Sequence, residues 1–152
     1  MSENEGLVSY RGVAHPWLCD RNAHLNTRHY VGAFDDAAQH FFAELGSEDA
    51  VNLSWADVSQ QISYAAEVPL GELFYIECRV TRVGRTSLGY RQTLRLQSTG
   101  DISAVVDAVT VRFDLDVRRA VPLPVEFVRA ARADLEGGNQ EVSAADSSES
   151  SK

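Results

Sequence analysis

Residues 17–46 read WLCDRNAHLNTRHYVGAFDDAAQHFFAELG, and this stretch decides the fold. It opens with a polar turn holding Asp20, His24 and Asn26. A long helix starts at Asn26 or Thr27, residue types that accept hydrogen bonds from the orphan amides of a first turn. Tyr30, Val31, Phe34, Ala37, Ala38, Phe41, Phe42 and Leu45 then recur at three- and four-residue spacing and form one apolar stripe. Gly46 is a natural stop. His29, Asp36 and His40 fall on the opposite face. A polar helix face is far more often solvated or at a subunit interface than metal-binding, so no metal is expected there.

Upstream, LVSYRGVA (7–14) is a short strand candidate, ended by Pro16. Downstream, 47–57 reads as a polar connection, and then every segment alternates with period two. The first strand, 58–68, sets Val58, Ile62, Tyr64 and Ala66 on one face. The second, 73–83, does the same with Phe74, Ile76, Cys78 and Val80. In 88–98, Leu88, Tyr90, Leu94 and Leu96 oppose Arg91, Thr93 and Arg95. In 102–116, Val105, Val109, Val111, Phe113 and Leu115 share a face that Asp107 interrupts, so Asp107 needs solvent or an arginine partner. Alternation between turns that mostly carry glycine predicts an antiparallel meander with one face covered. Residues 125–135 form a short terminal helix. Residues 1–6 read as a flexible terminus and 136–152 as a disordered acidic tail with almost no core formers. The single domain is 7–135. One long helix against one curved sheet is an α+β arrangement, with the sheet wrapped around the central helix to bury its stripe.

Composition narrows the function. Of 152 residues, 44% are hydrophobic, enough for a sizeable core. The net charge of -8 disfavours a nucleic-acid partner. No apolar run approaches the ~20 residues needed to cross a membrane. The N-terminus lacks the order of a signal peptide. Cys19 and Cys78 have neither metal spacing nor disulfide density, which points to reduced thiols and a cytoplasmic protein.

The chain resembles the hotdog-fold thioesterases of the 4-hydroxybenzoyl-CoA thioesterase family. Their pattern reads roughly D-x-x-G-H-x-N-x-x-x-Y, followed by F-(D/E)-x-A. Here it is met by Asp20, Ala23, His24, Asn26 and Tyr30, then by Phe34, Asp35, Asp36 and Ala37. Glu67-Val68 with Gly71-Glu72, the turn from Val83 to Ser87, and Arg118-Arg119 with Pro122-Leu123-Pro124 add to the match. The similarity spans about residues 7–128. Two departures stand out. Ala23 replaces the usual glycine, and the hairpin turn carries Arg85 alone, followed by Thr86 and Ser87, where some members have a basic run.

The resemblance implies a hotdog fold, a carboxylate at Asp20 and a backbone N–H near Thr27. Thioester hydrolysis needs a nucleophile or a base to activate water, and a carboxylate serves as either. Helix-terminal amides polarise a carbonyl and stabilise its oxyanion. His24 and Asn26 are the supporting polar groups. Tyr30 and Asp35 are expected at the substrate, and Arg85, Thr86 and Ser87 at the CoA phosphates. Plainer roles compete: Asp20 caps its own turn, Asn26 caps the helix, and His24 bonds to backbone. Arg82, Arg91 and Arg95 are most simply a charged outer face. Trp17, Trp55 and Tyr64 read as core or pocket wall.

The expected function is an acyl-CoA, or acyl-carrier, thioesterase with no cofactor beyond the CoA of its substrate. The family implies a homodimer or homotetramer with the pocket between subunits. The first rival is a non-catalytic hotdog protein that binds acyl thioesters. The second is a hydratase or dehydratase, whose His-with-acid motif is not found.

Overall fold

The computed structural model describes residues 6–47 and 53–149. The expected flexible start falls largely on residues 1–5, outside the described residues. Strands β1 (Leu7–Val13), β2 (Leu53–Tyr64), β3 (Leu73–Val83), β4 (Ser87–Leu96), β5 (Ile102–Asp114) and β6 (Arg119–Ala120) make one antiparallel sheet. The order across it is β1-β3-β4-β5-β2, with β6 paired to β5 off that path. Helix α1 (Thr27–Glu44) is the long helix, and α2 (Val125–Glu149) ends the chain. This is the hotdog arrangement.

The stripe on α1 works largely as its spacing predicts. Tyr30, Ala33, Phe34, Ala37, Ala38, Phe41 and Phe42 are buried. Val31 is the exception at 43% exposed, and Ala33 takes its place. The Phe42 ring meets Tyr90 of β4 edge-on at 5.3 Å and Trp55 of β2 at 4.8 Å, and Trp55 packs on Phe127 of α2 at 5.0 Å. That cluster ties both helices to the sheet. Truncating a fully buried ring such as Phe41 to alanine costs about 3–5 kcal/mol. At the helix end, Gly46 takes φ +85°, the left-handed stop that glycine adopts without strain.

The central strands β3 and β4 bury the faces their alternation indicates. The two strands on the far side differ from expectation. β2 begins at Leu53, inside the expected connection, where Leu53 and Trp55 already pair with Asp114 and Arg112 of β5; residues 48–52 lie outside the described residues. It ends at Tyr64, where the amides of Ala65 and Ala66 both turn to Ser103 O. As an edge strand with a register shift between Asp57 and Ser59, it buries little, and Val58 is 63% exposed. In β5 the buried face is Ala104, Val106, Ala108 and Thr110, not the one holding Val105 and Val109. Both alternating sets are apolar, so pattern alone picks no face. Asp107 stands outward and accepts from the Arg91 guanidinium at 2.8 and 2.9 Å.

Strand β1 covers β3 only from Leu73 to Cys78. Just past it, α2 takes over: the Asp134 carboxylate accepts the Val80 N–H at 2.6 Å. Edge backbone groups need such partners or water. Burial pushes the Asp134 carboxyl above its usual range, opposed by that bond and by Arg79. The helix then continues past Leu135 through Gly137 and Gly138 to Glu149, across most of the expected tail.

Candidate active site

The turn between β1 and α1 is built by backbone. A 3-10 turn, Pro16–Leu18, leads in. The Asp20 N–H bonds to His24 O at 2.9 Å and the Ala23 N–H to Asp20 O at 3.0 Å, closing a tight loop. Ala23 sits at φ +59°, in the left-handed region where glycine is at ease and alanine is strained. The loop is then zipped to the β2–β3 connection. Leu25 N–H donates to Val68 O, and Leu70 N–H donates to Ala23 O, each at 2.8 Å. These bonds fix where Asp20 stands relative to the helix.

Asn26 is the helix N-cap: its side chain accepts the Arg28 N–H at 3.1 Å. The His29 N–H goes to Asn26 O. Among the described residues no acceptor meets the Thr27 N–H. The first turn thus keeps one amide available at the positive end of a buried helix.

An open cleft of about 630 Å³ lies against this terminus. Asp20, His24, Thr27 and Tyr30 line it together, so four of the expected residues converge. The opposite wall is Tyr64, at the end of β2, with Ala65, Ala66 and Glu67 from the β2–β3 connection. Asp20 Oδ1 accepts the Asn22 N–H at 2.8 Å, the turn-capping role, which leaves Oδ2 for other work. His24 Nε2 is 3.8 Å from Glu67 Oε2.

Tyr30 contributes its ring rather than its hydroxyl. Ser103 Oγ donates to Ala66 O at 2.7 Å, so its lone proton is committed. Tyr30, 3.1 Å away, must therefore donate to Ser103. Burial raises the Tyr30 phenol above its usual range, opposed by hydrogen bonding with Ser103 and the Val68 backbone. Its ring meets Tyr64 edge-on at 5.3 Å.

The remaining expected residues lie elsewhere. Asn26 serves as the cap and does not line the cleft. Asp35 is exposed further along α1. Arg85, Thr86 and Ser87 sit on the β3–β4 hairpin, where Arg85 O accepts from Leu123 N and Thr86 O from Arg112 N. Ser87 Oγ accepts from Arg82 at 3.3 Å. The Asp20 loop adjoins the start of β3, and the hairpin is at its end. That strand has 11 residues, a length of roughly 33 Å. One protomer therefore does not bring the hairpin to the cleft. Trp17, expected in the core or a pocket wall, is 72% exposed and stacks on His15 at 4.3 Å, because Pro16 starts a turn that points it outward.

Asn22, Ala65, Ala66 and Glu67 line the cleft without having been assigned a place in it. The one sequence signal for Glu67 was its pairing with Val68 in the family pattern.

Comparison with known proteins gives the class. The model of the Thioesterase-like superfamily matches residues 14–131, and the chain belongs to that family. No curated protein matches the chain. Among solved structures, the SAV2348 protein of Staphylococcus aureus, determined in complex with CoA, superposes with a TM-score of 0.79 at 16% identity, covering 90% of this chain and 89% of its own. The PA5185 protein of Pseudomonas aeruginosa reaches 0.78 at 25% identity, over 87% of this chain and 93% of its own. Slr0204, a 1,4-dihydroxy-2-naphthoyl-CoA thioesterase from Synechocystis, reaches 0.72 at 13% identity, over 85% and 97%. Among the described residues, no helix is long and apolar enough to cross a membrane.

Proposed function

We propose that the chain hydrolyses an acyl-CoA, or acyl-carrier, thioester to the free acid and thiol. The observation that carries this reading is the shared cleft of the Asp20 carboxylate and the Thr27 amide. A thioester carbonyl seated over the α1 terminus meets that N–H, which strengthens as the oxygen becomes an oxyanion. One such donor is worth about 10²–10³ in rate. Asp20 Oδ2 either attacks the carbonyl carbon or takes a proton from the attacking water. The C–S bond then breaks and the thiolate leaves; where Asp20 has attacked, water next hydrolyses the mixed anhydride, releasing the acid and freeing the Asp20 carboxylate. CoA belongs to the substrate, and no further cofactor is invoked.

The reading includes a homodimer or a homotetramer built from such dimers. Acid and amide stand at one end of the sheet and Arg85 at the other, so a single protomer supplies half a site. An antiparallel partner brings its hairpin end to this cleft. The β2 edge, with Val58 exposed, suits such a joint because pairing would satisfy its open backbone groups.

Purified protein assayed against a panel of acyl-CoAs, with released thiol as the readout, tests the proposal. Turnover of at least one thioester is expected. A second reading, a thioester-binding protein without catalysis, is favoured by the turn-capping bond of Asp20 and by strained Ala23. Acyl-CoA binding with no thiol release from any substrate would establish it instead.

A further inference from the structure

Hydrolysis leaves a thiolate that needs a proton, and Asp20 is engaged on the carbonyl side of the reaction. The titratable side chains lining the cleft are Asp20, His24, Tyr30, Tyr64 and Glu67. An ionised carboxylate only accepts. The Tyr30 proton is held by Ser103. Histidine is the side chain that exchanges protons near neutral pH. His24 also has the placement: it closes the same tight turn as Asp20, through the Asp20 N–H to His24 O bond.

Glu67 comes from the other wall. Its carboxylate lies 3.8 Å from His24 Nε2, too long for a hydrogen bond and close enough for electrostatic orientation. The two walls are held in register. His24 forms a β-bridge with Pro69, and Leu25 and Leu70 bond across the same seam. Two side chains on a short, doubly bonded seam keep their relation without needing burial. Nε2 faces the Glu67 carboxylate within the lining of the same cleft.

We infer that Glu67 is a positioning residue for His24, and that His24 is the acid that protonates the departing thiolate. The inference rests on the thioesterase reading. As the tetrahedral adduct collapses, the C–S bond breaks and its electron pair stays on sulfur. The sulfur takes a ring N–H proton of the imidazolium, and the neutral ring regains a proton from solvent. With water as the nucleophile, the proton taken by Asp20 is released to solvent, so thioester and water give acid and thiol in balance.

A leaving group that departs without a proton exposes this role. Wild-type protein, His24→Gln and Glu67→Gln are compared on two esters of one acyl group, the CoA thioester and the thiophenol ester. With the CoA ester, kcat falls about 100-fold in His24→Gln and about tenfold in Glu67→Gln. With the thiophenol ester both variants stay within about threefold of wild type, and KM for either ester is unchanged. Equal losses on both esters, or no loss on either, overturn the acid role while leaving the thioesterase reading intact. A wild-type chain that cleaves neither ester overturns that reading and this inference with it.

Discussion

The two ends of the sheet are built from different materials. At one end, a backbone-zipped turn, a helix terminus and an exposed carboxylate enclose a cleft. At the other, a tight hairpin accepts from Arg112 of β5 and from Leu123, just before α2, and presents arginine. Among the described residues lining the cleft there is no lysine or arginine for phosphates, and the hairpin presents Arg85 far from the Asp20 carboxylate. Their separation is set by the length of β3, which no side-chain movement can bridge. On the proposed reading, the chemistry and the anchoring of the substrate are divided between copies of the chain.

Val58→Lys charges the exposed β2 edge. It is expected to leave the protein folded but monomeric by sedimentation, with activity reduced about 100-fold or more because acid and hairpin part. Full activity in a monomer would abolish the divided site. Arg85→Ala acts on anchoring alone, and a rise in KM for acyl-CoA of about tenfold with kcat little changed is expected. A fall in kcat at constant KM would place Arg85 in the chemistry.

Ala23→Gly relieves the left-handed strain in the turn. Measured by denaturant unfolding, it should stabilise the fold by about 1 kcal/mol. Glycine also loosens the unfolded chain, so the net gain reads strain against entropy. A loss of stability would show that the turn fits alanine.

Asp134→Asn probes the α2 staple through pH. The folded-state pKa of Asp134 is raised, so the native protein holds a proton that the unfolded chain releases. Its contribution is fully present below the unfolded value of 3.8 and is lost as pH rises through the folded value. The variant keeps an acceptor for the Val80 N–H and removes this dependence. The stability difference between the two proteins should therefore change across that window and be flat above it.

Legibility in the sequence followed the same split. Helix α1 and strands β3 and β4 were readable because each has one apolar and one polar face. β5 was ambiguous because Ala104, Val106 and Ala108 alternate with Val105, Val109 and Val111, and both sets are apolar. β2 was blurred by its edge position and its irregular register near Val58. In the site, Asp20, His24, Thr27 and Tyr30 were legible as one continuous stretch leading into a helix. Tyr64 was legible as pocket wall, but Glu67 was not, since a loop pairing distant in sequence brings it over. Asp35 and the hairpin residues entered through family resemblance, and the hairpin's distance from the cleft appears only once the length of β3 is known.

The central claim is that Asp20 supplies the reacting carboxylate at the α1 terminus. Its most direct test is thiol release from the best acyl-CoA substrate by wild-type protein and Asp20→Asn, with unfolding midpoints measured alongside. Asn keeps the acceptor for the Asn22 N–H, so the turn and the midpoint should survive while kcat falls by at least about 10³. A folded Asp20→Asn protein with wild-type turnover would contradict the account.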